Sequence, residues 1–113
     1  PLDLYFQAHA SGDSDDIRRA FHPDATISWV HEGDIKVEDR ETYAARFRGS
    51  PAHDEAERQR RVAFVDVNGD VAVARLELDY PYADIDSYMS LLRVDGQWRI
   101  VHKAYTRTLS RTR

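Results

Sequence analysis

The sequence predicts an α+β fold in which three N-terminal helices gather on one side of an antiparallel sheet. Three observations carry that expectation. The first half of the chain holds three stretches of helical spacing bounded by cap residues. From Arg58 onward the apolar period is two, and the dipeptides Asn68-Gly69 and Asp95-Gly96 divide that half into two tight hairpins.

The elements follow in order. Leu2, Tyr5, Phe6 and His9 fall at i, i+3, i+4 and i+7, one stripe of a helix that Ser11-Gly12 ends. Asp13 or Ser14 caps a second helix whose first turn carries Asp15 and Asp16, favourable at its positive end. Ile17, Ala20 and Phe21 form its buried stripe, and Pro23 stops it. The period then changes to two, with Ala25, Ile27 and Trp29 alternating with Thr26, Ser28 and Val30. Glu32-Gly33-Asp34 turns into a short strand from Ile35 to Glu38. Asp39 caps a third helix with Tyr43, Ala44 and Phe47 on its apolar face and Gly49 at its end. After a polar loop, strands are expected at Arg58–Val67, Val71–Tyr80, Asp84–Val94 and Gln97–Leu109.

Composition narrows the function classes. A chain of 113 residues without repeats or Gly/Ser linkers reads as one domain, residues 1–113. The absence of cysteine removes disulfides, thiolate catalysis and Cys-based zinc sites, and it fits a reducing cytoplasm. No apolar run approaches a membrane span. The formal net charge of −4 argues against nucleic acid as a partner, since phosphate affinity comes from clustered Lys and Arg. The basic clusters at 58–61 and 107–113 read as a solvated strand face and a chain end. Neither His-x-His nor His-Glu-x-x-His occurs among the five histidines, so no metal and no other cofactor is expected.

Two strings resemble a known family. Tyr5-Phe6 with Ser11-Gly12-Asp13 and Ala20-Phe21-His22-Pro23-Asp24-Ala25 is similar to the opening of NTF2-like proteins. The run from Asp86 to Lys103, ending Gly96-Gln97-Trp98-Arg99-Ile100, resembles the close of the "putative lumazine-binding" branch of that superfamily, which is related to the SnoaL-like proteins. The resemblance implies a cone: a curved sheet wrapped round a long helix, with an apolar pocket at the open end. It also implies a homodimer, with Val101, Lys103 and Tyr105 on the outer sheet face. The superfamily includes isomerases, dehydratases, hydrolases, cyclases and transport factors, so the fold alone assigns no activity.

Comparison with the steroid-isomerase branch sharpens the site. Tyr5 falls on that branch's tyrosine position, Trp29 on the position of its carboxylate base, and Ser90 near that of its second acid. An indole takes no proton at neutral pH, so that enolising mechanism is not expected. The same comparison implies that Trp29, Tyr88, Ser90 and Leu92 point into the cone, and alternation adds Ile27, His31 and His102. His9 lies on the apolar stripe of the first helix. His102 is then a candidate general acid/base and Tyr5 a candidate oxyanion stabiliser, each weighed against a purely structural role.

Three functions stay open: a binder of a small apolar or aromatic molecule, a cofactor-independent lyase, isomerase or hydrolase using His102 and Tyr5, and a protein-interaction module using the outer sheet face. All the site assignments depend on strand register, because a one-residue slip in the last strand would exchange His102 for Lys103.

Overall fold

The computed structural model describes residues 2–109 and is α+β, with helices and a six-stranded mixed sheet. Helix α1, Leu2–Ser11, ends where Gly12 takes φ +76°. Helix α2, Ser14–Ala20, begins at an Asp13 cap whose Oδ1 accepts a 2.9 Å hydrogen bond from the Asp15 N–H. The third expected helix is corrected to a single turn, α3, Arg40–Ala44, capped by Asp39. Beyond Ala44 the winding tightens: Arg46 and Phe47 donate to the carbonyls of Tyr43 and Ala44, three residues back. Tyr43 and Phe47 therefore still stack edge to face, 5.4 Å between ring centres.

The strands are β1 (Phe21–His31), β2 (Asp34–Asp39), β3 (Gln59–Asn68), β4 (Val71–Tyr80), β5 (Ala83–Val94) and β6 (Gln97–Leu109). They lie in the order β2-β1-β6-β5-β4-β3. Four neighbouring pairs are antiparallel, but β1 runs parallel to β6, so the sheet is mixed. Phe21 belongs to β1, closing α2 only through its N–H to the Ile17 carbonyl. Pro23 sits inside β1, where a large register shift against β6 between Phe21 and Thr26 leaves its missing N–H unneeded.

Asp95-Gly96 forms the expected turn with both φ angles positive, and Glu32-Gly33 does the same between β1 and β2. The β3–β4 turn is one residue later than expected. Asn68 pairs with Val71, leaving Gly69-Asp70 as the loop, with the positive φ at the first loop position only.

Two residue-count mismatches decide which side chains face the helices. Ala63 is an extra residue in β3, and Val101 is an extra residue in β6, between the pairs Leu91–Ile100 and Ser90–His102. Up to Ile100 the even residues of β6 face inward; past the bulge the odd ones do. The core joins Tyr5, Ala8, Ile17, Phe21, Ile27, Tyr43, Leu76, Met89, Leu91 and Ile100. No helix among the described residues is long and apolar enough to cross a membrane.

Candidate functional site

The Val101 bulge buries a lysine. Lys103, one of only two lysines in the chain, is 3% exposed and lies opposite Ile27 on β1 and Met89 on β5. Its Nζ donates a 2.9 Å hydrogen bond to the Tyr43 hydroxyl. It also stands 4.8–5.2 Å from the ring centres of Tyr5, Tyr43 and Tyr105, whose π faces attract a cation. Burial nevertheless pushes its amine down from the usual lysine range to about 7, partly opposed by Glu38 and reinforced by Arg46.

A line of side chains runs from this amine to the surface. Tyr43 Oη lies 3.2 Å from His9 Nε2, and His9 Nδ1 lies 3.4 Å from Tyr80 Oη. Arg60 Nε donates to Tyr80 Oη at 3.1 Å, and its two terminal nitrogens hold both oxygens of Glu55 at 2.7 Å. The His9 ring packs edge-on between Tyr5 and Phe47. Burial, then the nearby Lys103, Arg60 and Arg58, hold its pKa well below the usual histidine range. A neutral imidazole donates through one nitrogen and accepts through the other, so His9 links the two phenols in either tautomer.

Tyr5 differs from its neighbours. Its hydroxyl is buried near those of Tyr43 and Ser87, which act to lower its pKa, but neither it nor Ser87 Oγ meets a partner in full hydrogen-bond geometry. Burial raises the Tyr5 pKa well above the usual phenol range. The two phenols should respond oppositely to deletion of oxygen. Tyr43→Phe strips a partner from Lys103 and His9 and is expected to cost about 1–3 kcal/mol. Tyr5→Phe removes an unsatisfied buried oxygen and should be neutral or slightly stabilising. Urea unfolding of both variants checks the contrast.

Beside this cluster the inner face opens into a cleft of about 500 Å³ lined by Trp29, Val30, His31, Tyr105, Thr106, Arg107 and Leu109. Trp29 and Tyr105 stack at 5.6 Å and 26°, and the Arg46 guanidinium lies 5.5 Å from the Trp29 ring. Tyr105 thus borders the cleft on one side and the Lys103 amine on the other.

The residues singled out from sequence divide between two faces. Tyr5, His9, Ile27 and Trp29 lie on the helix side of the sheet, Tyr5 and Ile27 fully buried. His31 follows on the same strand at the cleft edge, exposed, 3.8 Å from Glu32. Tyr88, Ser90, Leu92 and His102 are on the other face, Tyr88 and Leu92 being 51% and 41% exposed. The inward positions on β5 belong to Ser87, Met89 and Leu91 instead. His102 Nδ1 is 2.7 Å from Thr26 Oγ1, on the face away from Tyr5. The structure therefore does not bring Tyr5 and His102 together, and the outer-face placement expected for Lys103 and Tyr105 is corrected to the inner face by the same bulge.

Sequence reasoning missed Lys103, Tyr43 and Tyr80 as site groups. The scarcity of lysine beside many arginines was the available signal. His22, just after α2, accepts a 3.0 Å hydrogen bond from the Asp24 N–H. No group of three potential metal ligands gathers among the described residues. Arg58, Arg60 and Arg61 of the basic cluster pair with Asp54, Glu55 and Glu77, while residues 110–113 of the basic tail lie outside the described residues.

Residues 1–106 match the family described as "Putative lumazine-binding". Solved NTF2-like proteins of unknown function are similar along most of their length. One from Shewanella baltica OS155 is 26% identical, with a TM-score of 0.85 over 96% of this chain and 89% of its own. One from Silicibacter pomeroyi DSS-3 is 25% identical, TM-score 0.81, over 95% and 89%. One from Methylobacillus flagellatus KT is 29% identical, TM-score 0.79, over 95% and 86%. No curated protein gives a significant match.

Proposed function

The chain belongs to the "Putative lumazine-binding" family within the NTF2-like superfamily, and from that premise we propose that it binds a small flat aromatic molecule in the Trp29–Tyr105 cleft. The observation that carries this reading is the juxtaposition of two stacked aromatic rings, a cleft of about 500 Å³ and polar tips at His31 and Arg107. Ligand sites of this size are mostly apolar, with a few polar groups that fix orientation. A ring inserted beside Trp29 gains stacking and loses water, while Arg107 and His31 can meet carbonyl or acidic oxygens at its edge.

The family description supplies the first probe, lumazine, a planar bicyclic dione. Calorimetric titration is expected to give saturable one-site binding, weakened about tenfold or more in Trp29→Ala as one aromatic contact face is lost. Heat changes absent in the wild type for lumazine and for simpler aromatic acids would remove the cleft from consideration.

A second reading concerns the other sheet face, where Val71, Val73, Tyr88 and Leu92 are all at least 41% exposed. Such a contiguous apolar band supports a homodimer that covers it, or a protein partner there. A sedimentation mass of a single chain at micromolar concentration would count against the dimer.

A further inference from the structure

We infer that the molecule held in the Trp29–Tyr105 cleft is an aromatic anion, a flat ring bearing a carboxylate or a comparable acid group, and that Arg107 selects it. The inference rests on the cleft being the binding site and deepens that reading by naming the charge of what binds.

The charges around the cleft run against those of the chain. The formal net charge is −4, yet among the described residues no carboxylate lines the cleft, which Arg107 and His31 border. The charged groups near the two rings can be matched one by one. Arg46 lies over Trp29, but its guanidinium already holds Glu38 at 2.6 Å. His31 stands 3.8 Å from Glu32 and faces Asp34 in the β1–β2 register. Lys103 is buried and donates to Tyr43.

Two cations are left over. Lys36 lies opposite Trp29 in the same register, so both side chains leave one face of the sheet. Arg107 follows Tyr105 by two residues on β6, again on the same face. Both are exposed, and among the described residues neither meets a carboxylate. The Arg107 guanidinium has only the Tyr82 ring near it, 5.2 Å from the ring centre.

An uncommitted guanidinium at the rim of an aromatic cleft discriminates by charge. Its planar fork matches both oxygens of a carboxylate, and the apolar walls beside it strengthen its field. A neutral amide of the same shape gains one ordinary hydrogen bond there. An ammonium or amidine ligand would meet Arg107 and Lys36 with no free carboxylate to answer it, and like charges placed together are rejected.

The test is a pair of calorimetric titrations of the intact protein with naphthoate and naphthamide, which share a ring system and differ in charge. At pH 7 and low salt, naphthoate is expected to bind about tenfold tighter. In about 0.3 M salt that ratio should fall to about threefold or less, because the rim is exposed. Arg107→Gln should weaken naphthoate about tenfold, so that the two affinities converge, and Lys36→Gln should weaken it about twofold. Urea midpoints of both variants should match the wild type, since both side chains lie at the surface. Trp29→Ala should weaken both ligands alike. Naphthamide binding as tightly as naphthoate, with both weakened by Trp29→Ala, would overturn the anion assignment and leave the cleft standing. A preference for naphthoate that survives in Arg107→Gln would overturn the role of Arg107. Binding of neither ligand would sink the inference together with the cleft.

Discussion

From about pH 7 to about pH 9 the unfolding free energy should rise by roughly 2 kcal/mol. The sign follows from Lys103, whose amine is depressed to about 7 in the folded chain and returns to the ordinary lysine value of 10.5 on unfolding. Between those values the unfolded chain binds more protons than the folded one, so stability increases with pH. Below pH 7 both states are protonated at this site and the full cost of burying a cation is present. His9 acts in the same direction at lower pH: held neutral by burial, it destabilises the fold as pH falls below the usual histidine pKa of 6.5. The buried phenols of Tyr5, Tyr43 and Tyr80 set the upper limit. Their pKa values are raised, so the stability they contribute is lost once the unfolded chain ionises its tyrosines above pH 10. Urea unfolding across this range should therefore peak between the two limits. Lys103→Met should flatten the rise between pH 7 and 9 and exceed the wild type at neutral pH, since an apolar chain of similar length needs no desolvation of charge. An unchanged slope in that variant would mean that the buried amine is not the titrating group.

Gly12→Ala should cost about 3 kcal/mol or more, the largest loss expected from any single methyl group in this chain. Two effects add at this position. Gly12 has φ +76°, where an L side chain is strained by about 1–2 kcal/mol. A Cβ there would also overlap the Ser50 carbonyl oxygen, a backbone atom that cannot swing aside. The same contact is held by the Gly49 N–H, which donates to the Gly12 carbonyl at 2.7 Å. Separating α1 from this loop would displace Phe47 and Arg46, which flank His9 and Trp29, so lumazine affinity should drop along with the thermal midpoint. Gly49→Ala is the control: its φ is +89° but a Cβ meets nothing within 4 Å, so only the backbone strain of about 1 kcal/mol remains. Equal losses in the two variants would show that the close approach of Ser50 is not what Gly12 serves.

The helix caps, the Asp95-Gly96 hairpin and most strand limits could be read from sequence because each rests on local chemistry, whereas the start of β1 at Phe21 and the Gly69-Asp70 turn could not. Asp13 and Asp39 cap where their carboxylates can reach an N–H two or three residues on, and Asp95-Gly96 accepts two positive φ angles. The side of the sheet on which each residue falls could not be read that way. Trp98, Ile100 and His102 continue a perfect alternation, and nothing in it reveals that Val101 has no partner on β5. That one unpaired residue reverses the parity of the rest of β6. It puts Lys103 under three tyrosine rings and His102 against Thr26 on the opposite face. On β5, Tyr88 and Leu92 compete with Met89 and Leu91 for the interior, and alternation alone gives no preference. The parallel β1–β6 pairing was equally silent, being a long-range contact between strands at opposite ends of the chain.

The most direct test of the cleft as a ligand site is a two-dimensional NMR titration of the indole N–H signals. The chain has two tryptophans, Trp29 at the cleft and Trp98 beside the exposed edge where Leu2 and Val67 pack. With lumazine, the reading of a Trp29–Tyr105 site predicts a saturable shift of the Trp29 signal while the Trp98 signal stays in place. A saturable shift of Trp98 alone, or of neither, would contradict it.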